Sequence, residues 1–174
     1  MLCKMKNFCN SNTLKSIYYS LFHSHLIYGI LVWGLAKPSM TNKVILLQKR
    51  AIRIIFKSDY FEHTNPLFKD LEILKCTDQY IVTLSGMLWD YDHKKLPSSL
   101  STWFTKISHR YKTRNATKGK LKPCLVKTKK HGMHSFQYEG TQIFNILKDT
   151  PLYNNSKTKK CFINNLKRCF IQNY

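Results

Sequence analysis

Acidic residues are scarce in this chain. Nine Asp and Glu stand against 29 Lys and Arg in 174 residues, which leaves a formal charge of +20. Such an excess destabilises a compact state by self-repulsion unless a partner or counterions screen it. The partners this balance points to are nucleic acid or an anionic membrane surface. Scarcity of acids also bears on chemistry, because nucleotidyl transfer by two metals needs clustered carboxylates on rigid elements. Asp90 and Asp92 stand two apart, so on a helix they point to different faces and read as helix-surface acids.

Other features are missing too. There is no phosphate-binding glycine loop, no GxSxG elbow, no HExxH and no dinucleotide fingerprint, so no cofactor is expected. No CxxC occurs among the six cysteines, and their scatter excludes a secreted disulfide framework. A reducing compartment, cytoplasm or nucleus, is expected, with Cys161 and Cys169 as small buried helix residues. Cys124, His131 and His134 are zinc-ligand types, but their spacing matches no finger and a fourth ligand is lacking. His23 and His25 read as polar spots on a helix.

Long apolar runs are absent as well. Ser16 to Ala36 carries no Lys, Arg, Asp or Glu, yet serines, histidines, tyrosines and glycines interrupt it. It reads as a buried core helix, and no membrane span is expected. Met1 to Asn12 is polar, which does not fit a signal peptide.

What is present is helical periodicity with segregated charge. Hydrophobic content of 43% supports a real core. The chain is organised around Met40 to Lys57, MTNKVILLQKRAIRIIFK. At about 100° per residue, Val44, Leu47, Ala51, Ile54 and Ile55 share one arc. Lys43, Lys49, Arg50, Arg53 and Lys57 share the other, with no acid among them. Such a helix can bury one side and turn the other toward a polyanion. A preceding helix is predicted from a cap at Asn12 or Thr13, with Leu14, Ile17, Leu21 and Tyr28 on its inner side. Gly34 and Pro38 end it, and Ser39 or Thr41 caps the organising helix. The two should form an antiparallel hairpin.

Downstream, Asp59 to Thr64 is a break. Pro66 suits the first turn of a new helix burying Leu67, Phe68 and Leu71. Asp78 to Lys95 is predicted helical, with Tyr80, Ile81, Leu84, Leu88 and Tyr91 inward. A helical turn is predicted at Leu100 to Phe104. Arg110 to Lys130 is basic, free of acids and poor in apolar residues, and reads as extended. Within it Arg110, Tyr111, Lys112 and Arg114 combine charge with a stackable ring, a composition suited to phosphates and a base. Lys118 and Lys120 extend the same basic segment. Short strands are expected at Leu125–Val126 and His134–Gln137, which would make one short β hairpin. Further helices are expected at Thr141–Leu147 and Ser156–Asn173, the last with Phe162, Leu166, Cys169 and Phe170 on one face.

The fold class is therefore mainly α. Four segments are expected: 1–58, a helical hairpin; 59–109, an acidic helical segment packed on it; 110–137, a basic extended linker; and 138–174, C-terminal helices.

Five blocks fall in a telling order: SIYYSLFHSHLIYGILVWG (16–34), LLQKRAIRIIF (46–56), HTNPLFKDLEILK (63–75), YKTRN (111–115) and YEGTQIFNIL (138–147). This order resembles the region after the polymerase palm in reverse transcriptases of non-LTR retrotransposons of the jockey and CR1 kind. The resemblance implies that the first two helices are the thumb, which packs against the primer-template duplex, with the basic face on its phosphates. Tyr111, Thr113 and Arg114 match the family's Y-x-T-R block. The family's fingers and palm, with the paired aspartates that hold catalytic metals, have no counterpart here. The chain is therefore expected to be a non-catalytic fragment that does not polymerise by itself. The partners implied are a DNA or RNA duplex held through phosphates, and an intact reverse transcriptase. Two other readings stay open: an orphan folded remnant or protein-interaction module, and a peripheral membrane protein.

Overall fold

A computed structural model describes residues 2–108, 113–126 and 135–174. They are mainly helical, as the periodicity predicts. In chain order the elements are α1 (Leu2–Met5), α2 (Ser11–Ile17), a π-helical turn (Tyr18–His23), α3 (Ser24–Ile27), α4 (Ile30–Trp33), α5 (Pro38–Phe56), α6 (Thr64–Asp70), α7 (Cys76–Asp92), α8 (Ser98–Ser101), α9 (Arg114–Thr117), α10 (Phe136–Asp149), α11 (Pro151–Asn154) and α12 (Lys159–Gln172). They sort into two compact units, Met1–Tyr80 with Arg168–Tyr174, and Ile81–Lys167.

In the first unit, Leu14, Tyr18, Ile52, Ile55, Leu67, Phe68 and Ile73 form the core. The segment expected as one helix is broken twice. Asn10, not Asn12 or Thr13, caps it: its Oδ1 accepts from the Thr13 N–H at 2.8 Å. The wider π turn then shifts the phase of every later side chain. Leu14, Tyr18, Leu26 and Ile30 are buried, while the predicted inner residues Leu21 and Tyr28 are 47% and 85% exposed. Gly29 makes the second break with φ 63°, a left-handed conformation that glycine adopts without a Cβ clash. No helix among the described residues is long and apolar enough to cross a membrane.

The start of α5 also differs from expectation. Pro38 occupies its first position, where the missing N–H costs nothing, and neither Ser39 nor Thr41 is the cap. Helix α6 begins at Thr64, with Leu67 and Phe68 buried as predicted. The last residue of the chain docks into this unit. The Tyr174 hydroxyl donates to Asp78 Oδ2 at 2.5 Å and accepts from the Lys75 N–H at 3.0 Å. The Lys75 ammonium lies 4.0 Å from the centre of its ring.

In the second unit, Trp89 is the hub. Its ring stacks on Phe162 at 5.0 Å and on His93 at 4.3 Å, and meets Tyr153 at 4.9 Å. Leu84, Leu88, Phe144 and Leu166 complete the core. Glycine at 140 lets α10 approach Phe104, since a Cβ there would lie 2.9 Å from the Phe104 ring. Asn145 clamps Leu121 at both ends of its peptide: Oδ1 accepts from the Leu121 N–H at 2.8 Å and Nδ2 donates to its carbonyl at 3.0 Å.

Several expectations need correction here. The strand predicted at 125–126 does not form, nor does strand over 135–137, the described part of the one predicted at 134–137. Leu125 and Val126 have no regular structure, and Phe136 and Gln137 open α10, capped by Ser135. The β contact among the described residues is an isolated antiparallel bridge between Lys106 and Leu121. The basic segment is not extended throughout, because the Thr113 hydroxyl caps α9. Cys161 and Cys169 are exposed, and the buried cysteine is Cys76.

Candidate nucleic-acid interface

Helix α5 carries the cations singled out in the sequence. It ends where Lys57 turns left-handed at φ 59°, and the Ser58 N–H reaches back to the Arg53 carbonyl at 3.1 Å. This closes the last carbonyls of the helix. Its rotation about its own axis is set by a polar residue. Gln48 is fully buried. Its Nε2 donates to the Tyr18 hydroxyl at 3.0 Å and to the Leu74 carbonyl at 2.8 Å, and its Oε1 accepts from the Cys76 N–H at 2.9 Å. The buried stripe is therefore Gln48, Ala51, Ile52 and Ile55. Of the predicted apolar arc, Ala51 and Ile55 are buried, Val44 and Ile54 are half-buried, and Leu47 is 57% exposed. Leu47 and Val44 instead line an open apolar hollow of about 390 Å³ with Leu21, Phe22 and Trp33.

The opposite side holds Lys43, Lys49, Arg50 and Arg53, and Lys57 follows at the C-cap. Lys43, Arg50 and Lys57 are exposed, while Lys49 and Arg53 are half-buried. Spacing by seven stacks Lys43 and Arg50 in one column about 10 Å long, and Lys57 follows at the left-handed C-cap. Lys49 and Arg53 widen the face to an arc of about 120°. None of the ion pairs between described residues involves any of the five. An apolar residue, Leu46, stands within this face at 65% exposure. Arg53 is held toward the following loop: its Nε donates to the Glu62 carbonyl at 2.9 Å, and its guanidinium lies 6.0 Å from the centre of the Tyr60 ring. The composition of the loop carried a signal that periodicity could not rank. Tyr60 and Phe61 adjoin this face and are exposed.

The other predicted contacts belong to the second unit. Arg114 is exposed at the start of α9. Arg110, Tyr111 and Lys112 lie outside the described residues. Lys118 and Lys120 are not free cations: their ammonium groups take the two oxygens of Asp149, at 2.7 and 2.5 Å. The hydrogen bonds from Lys118 and Lys120 hold the Asp149 carboxyl below its ordinary range.

Asp90 and Asp92 depart from the reading as plain surface acids. Asp90 pairs with Lys159. Asp92 takes Lys106 at 2.8 Å, Lys148 at 2.6 Å and the Tyr153 hydroxyl at 3.0 Å, with a side chain only 12% exposed. Burial opposes its ionisation, but the hydrogen bonds and charges of Lys106 and Lys148 win and bring its carboxyl from 3.8 to about 2. Their carboxylates are thus committed to lysines. Of the zinc-ligand types, Cys124 is exposed, and His131 and His134 lie outside the described residues. No group of three metal-ligating side chains occurs among the described residues. His25 is exposed, while the His23 ring packs on Tyr18 and Tyr19.

No protein-family model matches the chain, and no solved structure matches it. The chain is similar to the RNA-directed DNA polymerase from mobile element jockey of Drosophila melanogaster, with 33% identity over 64 residues. That stretch is 37% of this chain and 7% of the polymerase.

Proposed function

We propose that this chain is a non-catalytic, thumb-like piece of a retrotransposon RNA-directed DNA polymerase that grips a nucleic-acid duplex through its phosphates. The grip is assigned to α5, within residues 1–58. One observation carries the reading: Lys43, Lys49, Arg50 and Arg53 share one face of α5 with Lys57 at its C-cap, and no carboxylate among the described residues pairs with them. Phosphate contacts of this kind release counterions and carry no sequence information. Arg110, Tyr111, Lys112 and Arg114 are a second set of contacts in the same proposal. Lys118 and Lys120, sharing Asp149, contribute less than the free cations of α5. The similarity to the jockey polymerase supports a polynucleotide, rather than a lipid surface, as the polyanion.

Charge reversal tests this. Lys43→Glu, Arg50→Glu and Lys57→Glu together should weaken binding of a labelled duplex by at least about tenfold at low salt. These three side chains are exposed, so circular dichroism should be unchanged. Unaltered affinity would remove the grip from α5. In a primed-template assay the purified chain should incorporate no nucleotide, and metal-dependent extension would overturn the non-catalytic part.

A further inference from the structure

We propose that Tyr60 and Phe61 form a stacking platform for an unpaired base at the end of a duplex lying on α5. This rests on the nucleic-acid reading of that helix. The two rings follow α5 after a single left-handed residue, Lys57, which turns the chain back on itself. A turn closed by the Glu62 N–H on the Asp59 carbonyl, at 3.3 Å, presents them. They meet edge to face, with centres 5.2 Å apart and planes at 88°. Tyr60 is 69% exposed and Phe61 is 91% exposed.

A single exposed ring needs no explanation. A braced pair beside a cationic face is a different case. Arg53 does the bracing, since its guanidinium approaches the Tyr60 ring while its Nε bonds the Glu62 carbonyl. The same residue belongs to the basic face, so the rings continue that face past the end of the helix. An apolar protein groove would be a poor partner, because Asp59 and Glu62 flank the rings and would have to be desolvated. A base needs only one ring face, and every base has one to offer. The two carboxylates also repel phosphates. A strand passing the loop keeps its backbone toward Arg53 and Lys57 and presents its base to Phe61. Bases inside a duplex have both faces covered, and one exposed ring covers a single base rather than a terminal pair, so the platform favours duplexes with an unpaired end.

The test compares two labelled probes, a blunt duplex and the same duplex with a single-stranded overhang that carries a fluorescent adenine analogue. The wild-type chain should bind the overhang probe more tightly and quench the analogue. Phe61→Ala should lower affinity for the overhang probe about tenfold and leave the blunt probe unchanged. Phe61→Trp should keep both the preference and the quenching. Equal wild-type affinity for both probes would overturn the platform while leaving the α5 reading intact, and so would equal losses on both probes in Phe61→Ala. Binding of neither probe by the wild-type chain would overturn the α5 reading, and this inference with it.

Discussion

The amide of Gln48 donates to the hydroxyl of Tyr18 across 3.0 Å inside the first unit, and both residues are wholly shielded from water. That bond joins α5 to the π-helical turn. With the bonds from Gln48 to Leu74 and Cys76, it fixes which side of α5 faces the core. It thereby fixes which side presents the cations. Burial pushes the Tyr18 phenol up to about 12.

Replacing Gln48 by Leu should therefore be costly although it adds apolar bulk to a core. The Tyr18 hydroxyl, the Leu74 carbonyl and the Cys76 N–H would each lose a partner. A loss of about 3 kcal/mol or more is expected in denaturant unfolding, at about 1–3 kcal/mol for each orphaned buried group. Leu47→Ala, one residue away, should cost less than about 1 kcal/mol because Leu47 is largely exposed. The reverse ranking would show α5 rotated toward the arc that simple periodicity predicts.

Thiol chemistry should separate the cysteines. Cys76 is buried, and burial pushes its thiol from 9.0 up to about 11. At pH 8 it should resist alkylation in the folded chain and react once the chain is unfolded. Cys161 and Cys169 are exposed and should label at once. Mass spectrometry of timed alkylation reads this directly. Early labelling of Cys76 would contradict the packing around Gln48.

Acid should weaken the second unit through Asp92. Its folded carboxyl titrates near 2, below its ordinary 3.8. The contribution is thus complete above about pH 4 and lost as pH falls toward about 2. The stability of the wild-type chain should fall across that window. Asp92→Asn should be less stable at neutral pH, because Lys148 loses its counterion in a half-buried place. Its stability should also change less between pH 4 and pH 2. The remaining slope belongs in part to Asp149, whose carboxyl is lowered in the same direction. Parallel curves for the two chains would remove Asp92 from the account.

Much of this architecture is legible in the residue pattern, and the failures have identifiable causes. Helix α5, the break after it, α6 with Leu67 and Phe68, and the second half of α10 follow from apolar spacing, proline placement and charge. The π turn does not follow, because one extra residue in a turn leaves no mark on composition. It misplaced Leu21 and Tyr28. Gln48 defeated the pattern in another way: periodicity counts a polar residue as outward, yet this one is inside because three partners meet it there. The cations of α5 remained on one face because the error in rotation was smaller than the width of their arc. The pairing of Lys118 and Lys120 was not legible because Asp149, about 30 residues on, is adjacent only in space.

The most direct measurement is the salt dependence of duplex binding. The affinity of the wild-type chain and of a chain with Lys43, Arg50 and Lys57 all changed to Ala should be followed from about 50 to about 200 mM salt. If those three side chains each neutralise a phosphate, the slope of log affinity against log salt should become shallower by about 2.7, at about 0.9 per contact. An identical slope in the two chains would show that α5 does not hold the duplex.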